Sequence, residues 1–154
     1  MDSTTAHLGA IDRLRALPFP ARRRTERGVE SGPGFHVAQL EYSDRFGDDD
    51  FTLVRDAREE FEAELQVLVQ VLTYRWGNPE LMGLDGHLER SAMGEPVREP
   101  WCTLSAFVGE VHAWSVDGRW VALGISRDEP QSPQSVQLVA AIGDEAFVDG
   151  GATP

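Results

Sequence analysis

Apolar and polar positions sort most cleanly between Leu53 and Trp76. Arg55, Glu59, Glu62, Gln66, Gln70 and Thr73 recur in steps of three and four, a single polar stripe with the period of an α-helix. Val54, Ala57, Phe61, Leu65, Leu68 and Leu72 fall on the opposite side. The alternation of Val67, Val69 and Val71 imitates a strand, but no strand sorts residues this way over so long a stretch. A helix is therefore expected over about 52–76. Asp48, Asp49 and Asp50 stand where a helix N-terminus favours negative charge and a side-chain cap. Gly77 and Pro79 end it. Asp56, Glu60 and Glu64 widen the polar stripe in the first half, so the helix is expected to start at the surface and end buried on most sides.

Weaker patterns flank this segment. Leu8, Ile11, Leu14 and Leu17 are spaced by three, which predicts an N-terminal helix within residues 1–17, ended by Pro18. Residues 18–34 hold three prolines, three glycines and a run of arginines, a composition that reads as a linker and leaves the first helix loosely attached. Phe35 to Tyr42 reads as a strand whose alternation fades after Ala38. Leu81, Leu84, Leu88 and Ala92 suggest a short second helix within 80–93, where Gly83 and Gly86 each cost about 1 kcal/mol relative to alanine.

The last third changes period. Val111–Val116 and Arg119–Ile125 flank Asp117-Gly118, a strong two-residue hairpin signal. A turn of that length sets Val116 against Arg119, Trp114 against Val121 and His112 against Leu123. One face then carries Trp114, Val116, Val121, Leu123 and Ile125, the other Val111, Ala113, Ser115, Trp120, Ala122 and Gly124. Val136 to Ile142 supplies a further strand, and residues 144–154 read as a flexible tail. The expectation is a single α+β domain over 35–143: an antiparallel sheet of three to four strands, hairpin 111–125 plus strand 136–142, packed on the long central helix.

Charge narrows the function classes. Residues 1–33 carry six arginines against four acids, and the remainder eight against 22. A body this acidic repels phosphates and anionic lipid, so neither nucleic acid nor membrane is an expected partner. The longest dense apolar stretch falls short of the roughly 20 residues that cross a bilayer, and the first ten residues show no secretory pattern. A single cysteine, Cys102, fits a reducing compartment, and the cytoplasm is the expected location. Every cation is arginine, since the chain contains no lysine.

Familiar chemistry is missing. An activated thiol needs a neighbouring cation or a helix N-terminus, whereas Cys102 is flanked by Trp101 and Thr103 and no family signature surrounds it, so a packed cysteine is the simpler reading. His7, His36, His87 and His112 share no ligand spacing, and no metal site or cofactor is expected. Asp48 to Asp50 are consecutive and followed by Phe51 and Leu53, which breaks a calcium-loop pattern. The glycines from Gly28 to Gly34 lack a following Lys-Ser/Thr and precede a strand, the wrong order for a phosphate loop.

Two features rise above this background. Glu41 to Glu64 holds ten acids against three arginines. Within it Asp48, Asp49, Asp50, Asp56, Glu60 and Glu64 are the candidate contacts for a basic protein partner. Trp120 lies over the small residues Ala113 and Ser115, a flat shelf for a covering helix, a ligand or a contact. The first expectation is a non-catalytic acidic interaction module of the adaptor, inhibitor or immunity type. The alternative is a small-molecule-binding or enzymatic domain with its pocket between the long helix and the Trp-bearing sheet.

Overall fold

The computed structural model describes residues 3–43, 51–106, 108–127 and 136–144. In chain order the elements are α1 (Ser3–Ala16), β1 (Arg24–Glu26), β2 (Val29–Gly32), β3 (Phe35–Tyr42), α2 (Phe51–Trp76), β4 (Glu80–Gly83), α3 (Asp85–Ala92), α4 (Trp101–Ser105), β5 (Val108–Val116), β6 (Arg119–Ser126) and β7 (Gln137–Asp144). The strands form one seven-stranded sheet in the order β1-β2-β3-β7-β6-β5-β4. Each neighbouring pair is antiparallel.

Alternation along the central strands gives the sheet two buried faces. Ala38, Trp114, Val116, Val121, Leu123, Ile125, Leu138, Ala140 and Ile142 point to the side covered by α1 and α2, where they meet Ile11, Phe61, Leu65, Leu68 and Leu72. Phe35, Val37, Val111, Ala113, Ala122, Val139 and Ala141 point to the other side and meet Leu84, Trp101 and Leu104. On that second face Val37, Ala141, Ala122 and Ala113 stand in one cross-strand row. Such small side chains leave room for a large ring, and Trp101 is fully buried in the same cluster.

The long helix and the hairpin fall where the periodicity puts them. Leu68 and Leu72 are fully buried, whereas Gln66 and Gln70 are exposed. Val116 pairs with Arg119, Trp114 with Val121 and His112 with Leu123, across a turn in which Asp117 and Gly118 both have positive φ. The α+β class and the packing of an antiparallel sheet on a central helix hold.

Other expectations are corrected. The sheet has seven strands instead of three or four, and part of the difference lies in the stretch read as a linker. Arg27 (φ 51°) and Gly28 (φ 77°) turn the chain there, so Arg24–Glu26 and Val29–Gly32 pair with each other and extend the sheet from β3. Residues 80–83, read as the start of a helix, form β4 against β5, and the helix begins only at Asp85. The N-terminal helix is firmly seated, since His7, Ile11 and Leu14 are buried. Arg119 Nη1 donates to the carbonyls of Arg15 (2.9 Å) and Leu17 (2.8 Å) while its guanidinium lies 4.0 Å from the centre of the Phe19 ring. The second half of α2 is not enclosed: Tyr74 is 94% exposed and Val67 is also exposed. Asp48, Asp49, Asp50 and the tail 145–154 lie outside the described residues.

Candidate functional site

α2 presents two different flanks in its first half. On one, Asp56, Glu60 and Glu64 follow each other one turn apart, and Glu64 faces Glu41 from β3. Without a proton between them, Oε2 of Glu41 and Oε2 of Glu64 would be buried and partnerless. The hydrogen bond with Glu64, then burial, then the negative charge of Glu64 and Glu60 push the Glu41 carboxyl up to about 7. Glu41 therefore keeps its proton to near neutrality, in a hydrogen bond with Glu64. Ser3 Oγ of α1 donates to Glu64 Oε1 at 3.0 Å.

No described arginine pairs with this flank. Arg15 contacts Asp12 and Asp117, and Arg75 contacts Asp12. Arg23 is held by Glu30, Glu99 and the Thr103 hydroxyl, and Arg127 by Asp85 and the Ser105 carbonyl. Arginine's fork geometry is thus spent on fastening elements to one another. Asp56 and Glu60 are exposed and enter none of the ion pairs among the described residues.

The other flank of α2 borders a cleft of about 850 Å³. Arg58, Glu62 and Gln66 form one wall, Gly109, Glu110 and His112 of β5 the other, and Leu65 and Ile125 line it as well. Asp85 and Arg127 also belong to its lining. Arg58 Nη1 donates to the Ser126 carbonyl at 2.7 Å and Nε lies 3.6 Å from Glu62. Arg127 lies against Gly109, where an added Cβ would stand 3.4 Å from its Nη1. The i, i+4, i+8 spacing of Arg58, Glu62 and Gln66 was a usable signal for this wall; the approach of His112 to it was not, because it depends on how the sheet meets the helix.

Trp120, Ser115 and Ala113 lie on the face away from α2, so the cleft and the tryptophan shelf are separate places. Ala113 is buried, Trp120 half-buried and Ser115 exposed. The Trp101 ring of α4 meets the Trp120 ring edge-on, with centroids 6.5 Å apart. The helix α4, which no pattern announced, thus covers part of the shelf.

Two further arrangements set a hydroxyl beside a histidine or a thiol. His36 Nε2 is 3.2 Å from the Leu17 carbonyl and so carries the proton, which leaves Nδ1 to accept from Ser31 Oγ at 2.6 Å. Both side chains are buried, the Phe19 ring lies tilted against the imidazole with centroids 4.9 Å apart, and burial lowers the His36 pKa and so favours the neutral ring. Cys102 Sγ is 3.9 Å from Ser91 Oγ. Among the described residues no group of three or more His, Cys, Asp or Glu side chains is placed to hold a metal ion, and no helix is long and apolar enough to cross a membrane. No protein-family model matches the chain, and no curated protein or solved structure matches it significantly.

Proposed function

We propose that this protein is a non-catalytic interaction module that holds a basic segment of a protein partner against the flank formed by Glu41, Asp56, Glu60 and Glu64. The observation that carries this reading is the Glu41–Glu64 carboxyl pair. It is crowded enough to retain a proton up to about pH 7, yet has no described cation beside it, in a chain whose other acids are repeatedly matched by arginine. A guanidinium or ammonium supplied by a partner would pair with this flank and expel the Glu41 proton. The surrounding negative field would speed encounter.

The test is a partner isolated at low salt and then measured against purified wild type and the variant Asp56→Asn/Glu60→Gln/Glu64→Gln. Association with wild type is expected to slow steeply as salt rises, and the variant to associate at least about tenfold more slowly at low salt. Binding near neutral pH should also release protons, visible as a heat that varies with the ionisation enthalpy of the buffer. Equal rates for both proteins at every salt concentration would remove the reading.

The cleft supports a second reading, a small-molecule-binding or enzymatic domain. Its size falls within the roughly 300–1,000 Å³ of ligand pockets, and Arg58, Glu62, Glu110 and His112 bring hydrogen-bonding groups to an apolar base of Leu65 and Ile125. A ligand there would raise the melting temperature by an amount that survives salt, whereas a basic partner on the acidic flank would not.

A further inference from the structure

One heptad beyond each acid of the acidic flank stands an apolar residue of the same helix. Asp56, Glu60 and Glu64 are followed at this spacing by Ala63, Val67 and Val71, and Val67 in turn by Tyr74. Residues seven apart lie nearly in line along a helix, displaced around it by only about 20°. α2 therefore bears one continuous stripe, acidic in its first half and apolar in its second. The stripe is open: Asp56, Glu60, Ala63, Val67 and Tyr74 are exposed, with Glu64 and Val71 half-buried along its edge. From Asp56 to Tyr74 it runs roughly 27 Å at the rise of an α-helix. Apolar side chains scattered singly are ordinary on a surface, but Val67, Val71 and Tyr74 are neighbours on successive turns.

We propose that this stripe seats a basic amphipathic α-helix of a partner protein, with arginine or lysine against Asp56 and Glu60 and aliphatic side chains against Val67 and Tyr74. The inference rests on the reading of the acidic flank as a docking site and adds the shape and the two-part character of the partner. A helix is the shape that fits, because contacts repeating every seven residues are those of two helices packed at a shallow angle. The short side chain of Ala63, between the two halves, lets the backbones approach there. The acids call for cations in one half of the partner, and the valines and Tyr74 call for apolar residues in the other. A second copy of this chain does not complement the stripe. Laid parallel it sets acid on acid, and laid antiparallel with the stripes overlapping it sets Asp56 of each copy on Tyr74 of the other. Each copy also carries a net charge of −12.

The experiment is a titration of fluorescently labelled peptides with the full chain, read by anisotropy at low and at physiological salt. The probe is an alanine-based helix of about 20 residues, with leucines at heptad spacing in one half and arginines one turn apart in the other, made in both orders. A control keeps its charge but carries a pair of central prolines, which prevent the helix. The helical probe is expected to bind about tenfold or more tightly than the control. Val67→Ser/Tyr74→Ser should weaken it about tenfold at physiological salt, and Asp56→Asn/Glu60→Gln about tenfold at low salt. All four side chains are exposed, so both variants should keep the wild-type melting temperature within a few degrees. Equal binding of probe and control, lost in Asp56→Asn/Glu60→Gln, would overturn the helical seat and leave the basic-segment reading in place. No binding of either peptide would overturn both. Undiminished binding by Val67→Ser/Tyr74→Ser would also overturn the proposal. So would a wild-type dimer in light scattering that this variant dissolves, since the occupant would then be a second copy.

Discussion

Glu41 and Glu64 meet across the seam between sheet and long helix through a proton held by Glu41, and this contact ties stability to pH. Glu41 binds its proton more tightly folded than unfolded, because its carboxyl is raised from 4.5 to about 7. Its contribution is therefore most favourable at low pH and is lost as pH rises through that window. The neutral histidines His36 and His87 act in the opposite sense, their stabilisation fading as pH falls below the ordinary histidine range. The difference between wild type and Glu41→Gln isolates the pair. Melting temperatures measured from pH 4.5 to 7.5 should fall more steeply with pH in wild type than in the variant; parallel curves would rule out the retained proton.

Leu68→Ala or Leu72→Ala should each destabilise by about 2–5 kcal/mol, since both side chains are fully buried where α2 meets the sheet. Gln66→Ala, on the exposed stripe, should change stability by less than about 0.5 kcal/mol. Urea unfolding of the three variants gives the comparison, and similar losses at all three sites would contradict the observed facing of α2.

Gly124→Ala should cost about 1–3 kcal/mol. A Cβ there would stand 2.7 Å from the Glu110 carbonyl oxygen, a backbone atom fixed by the register shift between Val108 and Val111. Gly83→Ala, whose Cβ would meet nothing within 4 Å, should be nearly neutral. Thermal melts of the two variants should separate clearly.

Gly118→Val should destabilise by about 1–3 kcal/mol, because φ at this position is +80° and a β-branched residue strains there. An unchanged melting temperature would mean the hairpin turn is not what holds β5 to β6.

How much of this was legible in the chain depended on repetition and on distance. α2 spans 26 residues, so its polar stripe repeats often enough to defeat the valine alternation within it. Asp117-Gly118 is a local signal, and it set the β5–β6 register correctly. β1 carried no such signal. Its three residues are all exposed, so no apolar alternation distinguishes them from a loop, and Pro33 and the arginine run point away from a strand. β4 was hidden because the spacing of Leu81 and Leu84 suits a helix, yet Leu81 is exposed and only Leu84 is buried. Candidate site geometry was less accessible still. Glu41 and Glu64, or Trp101 and Trp120, come together through the tertiary fold, and no spacing along the chain records the meeting.

The sheet thins toward both margins. Its outermost strands, β1 and β4, are three and four residues long, against eight or nine for the strands between β2 and β4 in the sheet order. One rim bears Arg24, Glu26 and Arg27, and the other begins with Glu80 and closes with Gly83. Rims so short, the first of them also charged, give a neighbouring chain little ladder to extend. Edge-to-edge pairing of two copies would thus have few backbone groups to build on, whereas the two faces are clothed by helices.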